Sequence, residues 1–172
     1  MARSEEVQLT AGSVNKASAG NQTILLPSEM RATSGTGEAL SLEALEEARS
    51  LLLVLDITAV SGTDPTLDVA VYSQFEPWFL RIVQWDQQTG VTRLAYQIKR
   101  DGENRVVSPE LLDAVPEPDA EDEYQQEDGV PWTGQLVVAY RIDGTFAPSD
   151  PGPPPVAGEG VTFSVSAFPI HF

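Results

Sequence analysis

The chain of 172 residues contains no cysteine. This excludes a disulfide framework, a thiolate nucleophile, a CxxC redox pair and any Cys-ligated zinc or iron–sulfur centre. Histidine is almost as scarce: the single one, His171, is the penultimate residue. A Ser/His/Asp triad or a multi-histidine metal site would have to draw on a chain end, where backbones usually fray. Long apolar runs are missing too. No stretch approaches the ~18 apolar residues of a membrane-spanning helix, and the start MARSEEVQLTAGS lacks the hydrophobic segment of a secretory signal. The expectation is a soluble chain without a visible address.

Positive charge is the next shortage. Ten Lys and Arg face 26 Asp and Glu, a formal net charge of -16, and only Lys16 and Lys99 are lysines. Such a surface repels phosphate backbones and anionic lipid, so direct contact with nucleic acid or membrane is not expected. The balance fits a saline medium, where carboxylate repulsion is screened within about 3 Å at 1 M salt. An acidic, GC-rich bacterial genome would give the same composition.

A hydrophobic share of 41% suffices for one core in a chain of this size. The period of the apolar residues is that of strands. LLLVLDITA (51–59) is a continuous apolar strand, SGTDP supplies turn chemistry, and TLDVAVYS (66–73) sets Leu67, Val69 and Val71 on one face. These two read as a two-strand unit. EPWFLRIVQWD (76–86) and VTRLAYQIKR (91–100), joined by QQTG, read as a hairpin. QLVVAYRID (135–143) and VTFSVSAF (161–168) alternate as half-buried antiparallel strands, the first with Tyr140 and Ile142 on its apolar face. SLEALEEARS (41–50) is open between a short helix and an extended lead-in.

The pattern predicts an all-β fold: an antiparallel two-sheet β-sandwich, jelly-roll-like, with a barrel as the runner-up. Residues 1–37 are expected to be an N-terminal arm with short strands, and residues 38–172 the sandwich of a single domain. The predicted core comprises Leu53, Leu55, Ile57, Leu67, Val69, Val71, Leu136, Val138, Phe163 and Val165. Two long loops, acidic at 108–131 and Pro-rich at 147–160, are insertions on it. The second is expected to be stiff, since consecutive prolines pre-set polyproline geometry.

The candidate chemistry is thin. Residues 110–128 hold nine carboxylates, oxygen ligands suited to calcium, but in no EF-hand register, so a solvated or partner-facing loop is the default. Trp78, Trp85 and Trp132 with Tyr72, Tyr96 and Tyr140 are the material for a sugar-stacking platform, although core packing suits most of them better. Trp78 and Trp85, seven apart, should lie on opposite faces of a strand. Carboxylate pairs such as Glu76 and Asp86 arise by chance in so acidic a chain. Gly102, Gly144 and Gly158 have no phosphate-loop spacing, and NQT at 21–23 is read as a coincidental glycosylation match. No catalytic, cofactor-binding or metal-binding residues are therefore expected, and no enzymatic activity.

The stretch ARSLLLVLDITAVSGTDPTLDVAVYSQ (48–74) resembles a pattern in small β-sandwich proteins encoded among the virion structural genes of tailed phages and tailed archaeal viruses. YRIDGTFAPS (140–149) and VTFSVSAF (161–168) resemble the last two strands of that family. The resemblance implies a structural component located in the virion, present in many copies. Its partners would be copies of itself and other virion proteins: major capsid, neck or tail proteins. The apolar ends, Ile24 to Leu26 and Phe168, Ile170 and Phe172, would then either dock on neighbours in a homo-oligomer or lattice, or pack back on the chain's own sandwich.

Overall fold

A computed structural model describes residues 7–10, 14–16, 21–25, 31–32, 43–75, 77–100, 110–111 and 132–171. Its elements are β1 (Val7–Gln8), β2 (Val14–Lys16), β3 (Asn21–Leu25), β4 (Arg31–Ala32), α1 (Glu43–Glu47), β5 (Ser50–Val60) and β6 (Thr63–Phe75). They continue with β7 (Trp78–Gln84), β8 (Thr92–Lys99), β9 (Glu110–Leu111), β10 (Leu136–Thr145) and β11 (Val161–Ile170). All pairing is antiparallel.

Two sheets result. Sheet A runs β4-β1-β11-β5-β8, with β2 also on β11, and sheet B runs β3-β10-β6-β7-β9. The pairs β5/β6, β7/β8 and β10/β11 are each split between the sheets, so each of these three connections arches from one layer to the other. β1 and β2 flank β11 in sheet A while β3 flanks β10 in sheet B, which adds a fourth pair beside the third. This nested order is that of a jelly roll. The segment expected to be an arm thus supplies strands to both sheets.

The two connections read from sequence as in-sheet turns are such arches. β5 and β6 lie in different sheets, and so do β7 and β8. Strand period is identical in a hairpin and an arch, which is why the sequence does not separate them. At the first arch Gly62 has φ 121° and lies against Phe146, and Asp64 has φ 49°. These left-handed residues turn the chain out of its sheet. The true hairpin is β6–β7, where Phe75 pairs with Trp78.

All ten residues of the predicted core are buried. Leu51, Leu53, Leu55 and Ile57 of β5 face Leu67, Val69 and Val71 of β6 in one cluster, and Tyr140 meets Phe163 edge-on at 5.0 Å. Bulges tune which side chains enter. The register between β6 and β7 shifts after Val71, leaving Ile82 as an extra residue, so Leu80, Val83 and Trp85 all reach this core. Trp78, on the same face as Leu80, therefore shares a face with Trp85, contrary to the plain count of seven. Sheet B is also apolar on its other side, where Ala70, Tyr72, Phe79, Val137 and Ala139 form a second buried cluster.

Candidate functional site

The outer side of sheet A is the face on which polar chemistry meets open apolar surface. Strand alternation sends Leu52, Val54 and Asp56 of β5 away from the core. Register then builds three rows: Gln97–Leu52–Phe168, Ala95–Val54–Ser166 and Arg93–Asp56–Ser164. β1 extends the middle row, because Gln8 pairs with Ser166. A groove of about 670 Å³ follows these rows, with Ile170 at its apolar end.

Its polarity is graded. Leu52, Phe168 and Ile170 are half-buried at one end, Val54 and Ser166 lie midway, and Ser164 stands beside the one ion pair that closes the other end. There Arg93 Nη2 donates to Asp56 Oδ2 at 2.9 Å. That hydrogen bond and the carboxylate charge hold the Arg93 guanidinium above its ordinary pKa, against a smaller effect of desolvation. A serine nucleophile needs a free base in reach, and Asp56, in register with Ser164, is engaged by Arg93. Such a surface offers apolar area and a few directional polar groups.

The candidate residues read from sequence are distributed differently. Trp85, Trp132, Tyr72 and Tyr140 are buried, and Tyr96 is half-buried with its ring stacked on Trp85 at 6.0 Å. The six aromatics form no common platform. Trp78 alone is widely exposed, at 41%, and its hairpin partner Phe75 is 37% exposed. Sequence reasoning missed this pair. Its signal was the string FEPW, in which Pro77 sits in a two-residue loop between two aromatics.

Asp86 is exposed in the β7–β8 arch, and His171 is exposed after β11. Glu76, Gly102 and residues 112–128 lie outside the described residues, as do Leu26 and Phe172. Asn21 to Thr23 are in β3, whose backbone pairs with β10. Phe168 and Ile170 belong to β11, a central strand of sheet A, and their half-buried side chains line the groove on its outer face. Among the described residues no three His, Asp or Glu side chains converge as a metal site, and no helix is long and apolar enough to cross a membrane.

Compared with protein-family models, curated proteins and solved structures, the chain matches none.

Proposed function

We propose that the chain is a non-enzymatic structural subunit of a tailed-virus particle: a capsid-associated accessory, a decoration or turret subunit, or a neck or tail component. One coincidence carries the reading. The segments that resemble virion proteins, 48–74 and 140–168, are the β5–β6 and β10–β11 arches, adjacent at the centre of a jelly roll. Jelly rolls recur in viral capsid domains and in lectins. Fold alone does not assign function. The graded groove on sheet A gives such a subunit a face that a protein neighbour can bury. Net charge of -16 argues against nucleic acid as that neighbour.

The test is to purify particles, locate the chain by electron microscopy and count its copies. The expected result is a fixed, symmetric set of positions on capsid, neck or tail. A chain that is abundant in cells yet absent from particles overturns the proposal.

The exposed Phe75–Trp78 pair favours one second reading, a carbohydrate-binding module. Saturable binding on a glycan array, lost in Trp78→Ala with the fold retained, would select it over the first.

A further inference from the structure

Four large hydrophobic side chains are exposed among the described residues: Phe75, Trp78, Val91 and Val156. They lie at two ends of the sandwich. β10 pairs with β6 from Leu136 opposite Ser73 to Thr145 opposite Thr63. Phe75 and Trp78 therefore sit beyond the Ser73 end, while Val91 and the loop 146–160 sit beyond the Thr63 end. Ten residues of strand separate the ends, roughly 30 Å.

The loop is a closed projection. Asp150 N–H donates to the Val156 carbonyl at 2.9 Å, and Val156 N–H returns the bond to Asp150 at 2.8 Å. Below this bridge Glu159 N–H donates to the Ala147 carbonyl, and Ala147 N–H donates to Glu159 Oε2, both at 2.9 Å. The expected extended polyproline run is therefore folded back on itself. At the tip the only N–H between Asp150 and Val156 is that of Gly152, and it donates to Asp150 Oδ1 at 2.9 Å. Pro151, Pro153, Pro154, Pro155 and Val156 are exposed. The tip presents proline rings and carbonyl acceptors, with every N–H already spent inside the loop.

A surface of that kind is recognised by aromatic rings that pack against the prolines and by a donor that reaches a carbonyl. Trp78 supplies both, an exposed ring and an indole N–H, beside Phe75 and the exposed Pro77. One molecule cannot join its own two ends across the length of β10. We propose that the proline tip at 151–156 of one copy docks on the Phe75–Trp78 hairpin tip of a second copy, head to tail. This contact uses neither the sheet A groove nor the virion assignment. Because the two surfaces differ, the association is heterologous and propagates into a ring or a chain of subunits.

Sedimentation velocity over a concentration series of the full chain in molar salt tests this. Wild type is expected to associate with rising concentration. Trp78→Ser in the aromatic tip and Pro154→Asp in the proline tip, each checked by circular dichroism, are each expected to weaken association at least roughly tenfold. Mixing the two variants is decisive: one intact tip remains on each, so a one-to-one complex that cannot extend is expected. A chain that stays monomeric to millimolar concentration overturns the proposal. So does association that survives both substitutions, or a mixture that forms no complex. Saturable glycan binding at Trp78 without self-association would make the tip a sugar site and would equally overturn it.

Discussion

The indole N–H of Trp132 donates to the carbonyl oxygen of Leu45 at 2.7 Å, joining residues 87 positions apart. Arg100 completes the junction. Its guanidinium lies 4.1 Å from the Trp132 ring centroid and donates to the carbonyls of Ala48 (3.0 Å), Trp132 (3.0 Å) and Glu46 (2.6 Å). α1 is barely over one turn long and ends without a glycine, so its last carbonyls need outside donors. Burial lowers the Arg100 pKa, opposed by Glu46, yet the group stays charged because arginine does not deprotonate in proteins.

Loss of this clamp should be visible in stability. Arg100→Ala removes charged hydrogen bonds worth about 1.5–3 kcal/mol. For a chain of this length that corresponds to a fall in Tm of roughly 3–12 °C by calorimetry. Arg100→Lys is expected to recover only part of the loss, since a compact ammonium lacks the rigid planar fork that reaches several carbonyls at once. Full recovery by lysine would assign the effect to charge alone.

The centre of the core gives a second expectation. Phe163 is fully buried between Val161 and Val165 and meets Tyr140. Phe163→Ala is expected to cost about 3–5 kcal/mol through lost burial and a residual cavity. Leu67→Asp should abolish soluble folding, because an unpaired buried charge outweighs a total stability of roughly 5–15 kcal/mol. Chemical denaturation of the first and expression of the second check both.

These core residues were legible from alternation alone, since Leu53, Val69 and Phe163 all follow the two-residue period. The partner of each strand was not. Val60 and Val161 both face inward only because Thr58 is an extra residue opposite the Thr162–Phe163 step, and Trp78 joins the face of Trp85 only through the extra Ile82. Bulges depend on what lies across the sheet, which local sequence does not encode. The second cluster behind sheet B was illegible for a related reason: Ala70 and Ala139 are buried, but a small residue on the far face reads as neutral. The groove on sheet A follows from Phe168 lying beside Leu52, a pairing 116 positions apart that depends on topology.

The first arch supplies a third prediction. A Cβ on Gly62 would stand 2.7 Å from Phe146 Cδ1 and 2.9 Å from the Thr145 carbonyl oxygen, on a backbone at φ 121°. Gly62→Ala should therefore destabilise the chain by more than about 1 kcal/mol, although alanine at a compatible site would stabilise it. Gly90, with no atom within 4 Å of a built Cβ, is the control. Gly90→Ala is expected to leave Tm within experimental error or raise it slightly.

The last prediction concerns salt. At neutral pH the net charge of -16 places an excess of carboxylates on a surface with ten cations. Among the described residues Arg93 pairs with Asp56 and Arg141 with Asp143, and both pairs are partly solvated. Added salt screens attraction and repulsion alike. Exposed pairs contribute only about 0–1 kcal/mol each, so what screening removes from them is small. The repulsion is shared among many more groups, and compaction brings these together. Tm should therefore rise from dilute buffer to molar sodium chloride. Sucrose separates this from general exclusion effects, because it strengthens burial without screening charge. A chain in which several exposed acids are changed to their amides should show a smaller rise with salt and the same response to sucrose. A Tm that is flat or falls with chloride would remove the high-salt reading of the composition, while the jelly roll, whose core is apolar, would stand.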